Sequence, residues 1–300
     1  MKLNIRSRLS GRAFAFGAVF LMSLAPIVVK FGLRQAMDPI PLLTIRFWLA
    51  AAVLWLSFLL FDRTALKLPR GSVLPLIAAA AVFAASYALY YLALLYIDVS
   101  VNHMLGAVNP AVVMFLLFLD GRKIGINSLA RLALVLVGLY LLVGPSGTVN
   151  PVGIALGLSF TLFYGAFLFI VEKWLGDVPS TTVTLYVDTF VALFLAGFYA
   201  FQYRGWQPLT SDGWAIIVFT GIFSTALAHF FYVSSVKVIG SGETALINPF
   251  ETVFTVTWAM LFLGEQLSPL QWAGGSLILL SAFLIGRQIA APKPQAETAT

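Results

Sequence analysis

Ten long apolar runs divide the chain and constrain its fold more than any other feature of the sequence. They cover residues 12–32, 41–61, 72–97, 101–119, 127–144, 151–171, 180–201, 212–235, 244–263 and 269–286. A helix needs about 20 apolar residues to cross a hydrocarbon core about 30 Å thick, and its backbone must be satisfied internally there. Most runs lack period-2 alternation and are twice too long for outer-membrane barrel strands. The sequence therefore predicts an all-α integral membrane protein with ten transmembrane helices.

The composition excludes several classes of function. Charged residues make up 10% of the chain, against about 25% in soluble domains. The absence of cysteine and the presence of only two histidines argue against disulfides, thiolate chemistry and a three-histidine zinc site. The chain has no GxxxxGK[ST] motif, the phosphate-binding sequence of many ATPases. ATP hydrolysis is therefore not expected. We therefore expect no metal and no cofactor. The net charge of +6 is interpreted as a result of membrane topology rather than of nucleic-acid binding.

The basic residues predict the orientation. With a cytoplasmic N-terminus and ten spans, the outer side holds Lys30, Arg34 and Arg204, and Arg46 lies within a span. The cytoplasmic side then holds the other 14, which are Lys2, Arg6, Arg8, Arg12, Arg63, Lys67, Arg70, Arg122, Lys123, Arg131, Lys173, Lys237, Arg287 and Lys293. This bias follows the positive-inside rule, so both termini are predicted to be cytoplasmic. The first run is too long for a signal-peptide core and is expected to be retained.

The two halves of the chain resemble each other at a constant offset of 142 residues. This register pairs Gly71 with Gly213, Ala84 with Ala226, Tyr90 with Tyr232 and Ile97 with Ile239. Five is an odd number of spans, so the second half is expected to be inverted relative to the first. The predicted organisation is a basic segment (1–11), two five-helix repeats (12–145 and 150–287) and a disordered tail (288–300). Inverted repeats are typical of secondary transporters, whose substrate sites lie near the membrane midplane.

Several motifs give the chain a resemblance to a known family. In the second half they are GIFSTALAHFFY from Gly221, VIGSG from Val238, Glu251, and LGEQL from Leu263. In the first half they are Arg46-Phe47 and Asn109-Pro110. The chain thus resembles the EamA family of the drug/metabolite transporter superfamily. The resemblance implies ten helices around a central cavity and export of small metabolites or amino acids across a bacterial inner (plasma) membrane.

The chain also departs from the family pattern. Leu24-Ala25 replaces a Trp-Gly pair, Thr252 replaces the proline that follows the glutamate, and no "GE" step is evident at Gly121-Arg122. These departures weaken any inference about the substrate by analogy.

Four ionisable residues inside the spans are candidate substrate-binding or coupling groups, because a charge there is costly and usually faces a cavity or a partner. Glu251 and His229 lie at similar depths on adjacent helices, which makes a His–Glu pair geometrically possible. Asp188 lies in span seven, where a packing role is an equal alternative. Arg46 in span two could snorkel outward or bind a carboxylate. We expect Arg46 and Asp188 to lie on opposite sides of the midplane and not to pair.

Other polar and aromatic residues complete the candidate set. Tyr87, Tyr90 and Tyr91 share one helical face and could stack on a planar substrate or pack helices; Tyr232, Asn109 and Asn248 are further candidates. His103 is expected at headgroup level. Trp206 and Trp214 are expected at the lipid–water boundary. Pro110 and Pro249 are expected to interrupt helix hydrogen bonding and to leave carbonyls of Gly106 and Ala245 unpaired.

These features favour a secondary transporter that exports a small organic metabolite, with amino acids or related compounds as the leading substrates. Its expected partners are the substrate, membrane lipid and, as a further hypothesis, protons that use Glu251 and His229. One alternative is a nucleotide-sugar or sugar-phosphate exchanger, although phosphates call for more cavity cations than Arg46 and Lys30. An alternative of another class is a membrane-embedded enzyme, in which Asp188, His229 and Glu251 would form the active site.

Overall fold

A computed structural model describes residues 5–121, 126–143, 150–202, 210–245 and 247–290, and these residues are all-helical apart from turns. The α-helices are, in chain order, α1 (Ile5–Arg34), α2 (Pro39–Phe61), α3 (Val73–Ala93), α4 (Val99–Gly106), α5 (Asn109–Leu119), α6 (Ile126–Val143), α7 (Pro151–Trp174), α8 (Ser180–Gln202), α9 (Ser211–Val218), α10 (Ala228–Ala245), α11 (Pro249–Trp258) and α12 (Pro269–Ala290). A short 3₁₀ turn spans Arg63–Leu66, and π-helical segments span Phe219–Leu227 and Ala259–Leu263.

Seven helical segments in the described residues are long and apolar enough to cross a membrane. Three shorter apolar helices, Leu132–Val143, Pro249–Leu263 and Pro269–Leu284, coincide with the remaining predicted runs. Many of the large apolar side chains on these helices point away from the protein, as lipid-facing residues do. The predicted integral membrane fold is therefore confirmed at this level.

Some predicted features lie outside the described residues. They include Lys2, Arg122, Lys123, Arg204, Trp206, Lys293 and residues 291–300 of the predicted tail. Residues 288–290, which were assigned to that tail, are instead the last residues of α12.

The packing of one half against the other follows a two-fold pattern. Helix α1 packs on α10 and α11, and its counterpart α7 packs on α3 and on α4–α5. Helix α2 packs on α8, and α6 packs on α12, so each of these pairs joins equivalent helices of the two repeats. Such reciprocal pairing is expected when two similar five-helix units interlock about a shared axis.

Two of the predicted spans are interrupted. Span four consists of α4 and α5, separated at residues 107–108. Span nine, predicted from residue 244, contains the end of α10 at Ala245 and then α11, which begins at Pro249. Within α10, the Ser235 Oγ atom lies 2.9 Å from Thr244 Oγ1. Nine residues of straight helix rise about 13.5 Å, so α10 bends sharply between these two residues.

Both interruptions carry the dipeptide Asn-Pro. Asn109-Pro110 opens α5, and Asn248-Pro249 opens α11. Proline is favourable in the first turn of a helix, where its missing N–H is not needed. Pro110 and Pro249 therefore lie at the starts of helices rather than within continuous ones. These dipeptides are separated by 139 residues, so the repeats lose their constant offset of 142 at this point.

Candidate functional site

Glu251 lies in the first turn of α11, inside the helix bundle. Its side chain keeps 29% of its surface accessible, and its Oε1 atom lies 3.7 Å from Nε2 of His103. A carboxylate at the N-terminal end of a helix is stabilised by the unpaired N–H groups and the helix dipole. The apolar run begins at residue 244, but α11 begins at Pro249. Glu251 therefore lies in the first turn of a helix, a favourable position that the length of the apolar run did not predict.

His103 links Glu251 to the first repeat. Its Nδ1 atom lies 3.2 Å from the Tyr90 hydroxyl, while its other ring nitrogen faces Glu251. The backbone carbonyl of Tyr90 also accepts a hydrogen bond of 3.0 Å from the Asn102 side chain, which fixes α4 against α3. The His103 side chain, expected to be solvated at headgroup level, is only 15% exposed, because the short helix α4 packs against α7 and α11.

His229 pairs with Asp188 rather than with Glu251. Its Nδ1 atom lies 2.8 Å from Asp188 Oδ2. The Asp188 side chain is 2% exposed and the His229 side chain is 16% exposed. Because a buried carboxylate needs such a partner, this pair joins spans seven and eight within the second repeat. His229 nevertheless remains close enough to Glu251 to act on it electrostatically.

Arg46 is buried, with 4% of its surface exposed, so it does not snorkel outward. Its Nε atom donates a hydrogen bond of 2.8 Å to Thr225 Oγ1, and a terminal nitrogen donates to the Tyr91 hydroxyl. Thr225 lies in the π-helical segment of span eight, where its hydroxyl also bonds the carbonyl of Thr220 five residues earlier. Arg46 and Asp188 make separate contacts, in line with the prediction that they do not pair.

Five tyrosines lie close enough to Glu251 to interact with it electrostatically. Four of them, Tyr87, Tyr90, Tyr91 and Tyr232, stand out in the sequence, whereas the fifth, Tyr164 on α7, does not. Tyr164 has no partner in the repeat register and no neighbouring motif, so only the packing of α7 against α3 brings it to the site. The hydroxyl of Tyr232 is hydrogen-bonded to the Asn248 side chain.

The two asparagines at the helix interruptions have different surroundings. Asn248 is partly exposed and bonded to Tyr232. The Oδ1 atom of Asn109 is buried and has no hydrogen-bond partner among the described residues. An unpaired buried acceptor is costly, so this amide oxygen is uncompensated by the described residues in the present conformation.

A second polar cluster, centred on Glu265, lies where the end of span nine meets the start of α4. Glu265 accepts hydrogen bonds from the backbone N–H groups of Val99 and Ser100 at 2.8 and 2.9 Å and from the Ser100 hydroxyl at 2.6 Å. Lys30 donates to the carbonyls of Leu94 and Ile97, and Arg34 donates to the Leu263 carbonyl at 2.9 Å. Glu265 belongs to the LGEQL motif, but nothing in that motif indicates that its carboxylate caps a helix of another span.

The described residues contain no group of three or more histidine and acidic side chains positioned to hold a metal ion. What they contain is a carboxylate–imidazole–phenol chain from three helices, a separate His–Asp pair and a cluster of aromatic rings where α3 packs on α7. This arrangement offers a polar substrate group a carboxylate acceptor and imidazole and phenol groups that can donate or accept hydrogen bonds.

Comparison with known proteins agrees with this architecture. The model of the EamA-like transporter family matches residues 9–144 and again residues 151–287. The uncharacterized transporter sll0355 of Synechocystis sp. is 33% identical over 86 residues, a match that spans 28% of this chain and only 25% of that protein. A solved crystal structure superposes with a TM-score of 0.63 at 18% identity and covers 94% of this chain and 99% of its own. That likeness shows the fold alone, whereas the family match covers nearly the whole chain in two copies. The chain therefore belongs to the EamA-like transporter family.

Proposed function

We propose that this protein is a secondary transporter that exports small organic metabolites, with amino acids or related compounds as the leading class, by alternating access. The observation that carries the proposal is the partly accessible Glu251 carboxylate, held between the repeats with His103 and five tyrosines. A carboxylate inside a membrane protein is costly and is usually retained for function. An amine is its natural ligand.

The proposal includes ten spans with both termini in the cytoplasm of a cell with an inner (plasma) membrane. Relative helix directions support it. Helices α1 and α11 run parallel, since Phe16 contacts Phe250 and Phe20 contacts Trp258. Helices α3 and α7 run antiparallel, as the contacts of Phe83 with Phe167 and of Tyr90 with Phe160 require. Both relations agree with ten alternating spans.

Alternating access requires an end of the bundle that opens and closes. The Glu265 cluster supports this, because it ties the end of span nine to the start of span four, while Lys30 and Arg34 tie span one to the same place. In the proposed orientation this end faces outward. Breaking these hydrogen bonds would open the site to the outside, and their formation would favour access from the cytoplasm.

We further propose proton coupling through Glu251, with the two histidines near it as partners. His103 touches the carboxylate, and His229 acts on it from the Asp188 pair. If a proton and the substrate amine compete for Glu251, a proton gradient drives export. Replacement of Glu251 by Gln would then abolish the dependence of transport on pH.

The phosphate-exchanger alternative has less support. Arg46 donates hydrogen bonds to Thr225 and Tyr91, and Lys30 donates to backbone carbonyls at the outer end. A phosphate needs several available donors. The enzyme alternative would need Asp188, His229 and Glu251 to act together, whereas Asp188 and His229 pair with each other and Glu251 faces His103.

The test is transport by purified protein in liposomes, with and without a pH gradient. Labelled aromatic, aliphatic and basic amino acids, nucleosides and polyamines form the panel, and protein-free liposomes are the control. We expect saturable, gradient-stimulated uptake of amine-bearing compounds that are recovered chemically unchanged. Conversion of a substrate into a product would contradict the transporter assignment, and saturable uptake that ignores the gradient would contradict proton coupling.

A further inference from the structure

Span eight contains the π-helical segment Phe219–Leu227 between α9 and α10. At its end the N–H group of Ala228 donates to the carbonyl of Phe223, five residues earlier, whereas an α-helix bonds residues four apart. The equivalent span of the first repeat, α3, is α-helical from Val73 to Ala93. A repeat can therefore build this span without a π-helical turn. Such turns are rare and frequently lie at functional sites.

The π-helical segment sets the direction in which α10 presents its side chains. A π-turn holds one residue more than an α-turn, so each later residue is rotated by about 100° relative to an uninterrupted α-helix. His229 follows the segment by two residues, and its Nδ1 atom lies 2.8 Å from Asp188 Oδ2. In an uninterrupted helix continued from α9, Ala228 would take the place of His229. The buried Asp188 carboxylate would then face a methyl group, and an unpaired buried charge is costly.

Thr225 closes the π-helical segment, and Arg46 holds it from a different helix. The Thr225 hydroxyl donates a hydrogen bond of 2.9 Å to the Thr220 carbonyl, five residues earlier. The same hydroxyl accepts a hydrogen bond of 2.8 Å from Arg46 Nε on α2. A charged donor makes a stronger hydrogen bond than a neutral one. The α2 backbone also lies against the segment, since a Cβ atom added to Gly221 would lie 3.2 Å from the Arg46 carbonyl oxygen.

The Arg46 guanidinium has an unusual environment for a buried charge. Among the described residues its hydrogen bonds go to two neutral hydroxyls, those of Thr225 and Tyr91. Its carbon atom Cζ also lies 6.0 Å from the ring centroid of Phe47 and 5.8 Å from that of Tyr91. A charge inside a membrane protein is costly and is usually retained for function. This one joins α2 and α3 of the first repeat to span eight of the second.

We infer that Arg46 is a positioning residue that acts through Thr225. It holds the π-helical turn of span eight, the turn sets the rotation of α10, and that rotation directs His229 to Asp188. The functional consequence rests on the proposed transport function. His229 also acts electrostatically on Glu251, so a rotation of α10 would remove a histidine from the candidate site.

Nitrogen NMR of isotopically labelled histidine in liposomes tests the inference without a substrate. The chain has two histidines, so His229→Gln assigns the His229 signals, and Asp188→Asn gives their position without a carboxylate partner. Thr225→Val lacks the hydroxyl and is expected to move the Nδ1 signal of His229 from the wild-type position towards that of Asp188→Asn. Thr225→Ser keeps a hydroxyl and is expected to keep the wild-type signal. Thr257→Val is the matched control, because Thr257 is exposed and bonds the carbonyl of Val253 in its own helix.

A second variant covers a folding failure. If Thr225→Val does not fold by its melting curve, Arg46→Lys provides the other arm, since an ammonium keeps the charge and cannot reproduce the forked contact. It is expected to move the His229 signal in the same direction. A wild-type His229 signal in the folded variant would overturn the inference. An equal movement in Thr257→Val would also overturn it, because the signal would then not report the π-helical turn.

Transport gives a separate readout. In the liposome assay, Thr225→Val is expected to take up the best panel compound severalfold more slowly than Thr225→Ser. Wild-type uptake by a Thr225→Val protein whose His229 signal has moved would overturn the link between this positioning and transport. Absence of saturable uptake of every panel compound by the wild type would count against the proposed function itself, whereas the NMR result would still decide whether Arg46 positions His229.

Discussion

Replacing Glu265 by Gln should destabilise the protein far more than an amide-for-carboxylate exchange on the surface. The Glu265 carboxylate is 7% exposed and accepts three hydrogen bonds from the first turn of α4. A glutamine can direct its one oxygen towards Ser100 and keep two neutral bonds. Its NH₂ group then faces the Val99 N–H, so two donors oppose each other in a buried place.

The magnitude follows from these three bonds. Losing one charge-assisted bond costs about 1.5–3 kcal/mol, and converting two others to neutral bonds costs about 1 kcal/mol each. The free energy of unfolding should therefore fall by about 3.5 to 5 kcal/mol. At about 1.6 °C per kcal/mol for 300 residues, from an unfolding entropy of about 2.1 cal/mol/K per residue, the melting temperature should fall by about 5 to 8 °C.

Tryptophan fluorescence during heating in detergent measures this effect. Glu172→Gln is the control, because Glu172 is exposed on α7 and surface charges contribute little. Ser100→Ala, which removes one of the three donors, should give an intermediate loss. A Glu265→Gln protein that melts within about 1 °C of the wild type would refute the assignment of Glu265 as the cap of α4.

Three further predictions concern other contacts. Gly274→Ala should lower the melting temperature, because the added Cβ would lie 2.5 Å from the Gly138 carbonyl oxygen, whereas Gly197→Ala, with open space around it, should leave it unchanged; similar melting of both variants would contradict close packing of α6 on α12. Arg46→Lys should reduce thermal stability, since an ammonium cannot reproduce the forked contact with Thr225 and Tyr91; a wild-type melting curve would oppose this. Partial burial and the nearby Glu265 charge raise the pKa of Asp98 in the folded protein. Protonation of Asp98 therefore favours the folded state. The free energy of unfolding should fall as the pH rises from the unfolded-state pKa of Asp98 to its folded-state pKa. Asp98→Asn should therefore melt no lower than the wild type at neutral pH and should flatten the pH dependence in that acidic interval; a steeper dependence would contradict the sign.

The helices were predictable because the hydropathy of a segment indicates a membrane span without information from the rest of the chain. Hydropathy located the apolar runs, and the repeat register indicated two similar halves. The interruptions were harder, since a bend such as that between Ser235 and Thr244 lies among residues of the same polarity as the helix ends. The constant offset of 142 residues paired Asn109 with Glu251, although the matching structural feature is Asn248-Pro249.

The partners of the buried polar groups could not be predicted for a different reason. Side-chain contacts depend on how each helix is rotated about its axis, and a one-residue difference in a helix start turns a side chain by about 100°. Sequence depth alone therefore allowed a His229–Glu251 pair, whereas rotation of α10 directs His229 to Asp188 and the inward turn of α4 directs His103 to Glu251. Tyr164 and Glu265 act across helices distant in sequence, so no local pattern marks them.

The most direct test of the central claim is transport of the amine-bearing panel compound that the wild type takes up fastest, by liposomes that contain wild-type, Glu251→Gln or Glu172→Gln protein at equal density. We predict saturable, pH-gradient-stimulated uptake for the wild type and for Glu172→Gln. For Glu251→Gln, which should remain folded by its melting curve, we predict at least about a tenfold loss of uptake, as expected when one substrate charge contact is removed. Uptake by Glu251→Gln with the same rate and the same gradient dependence as the wild type would contradict the claim that this carboxylate binds the substrate.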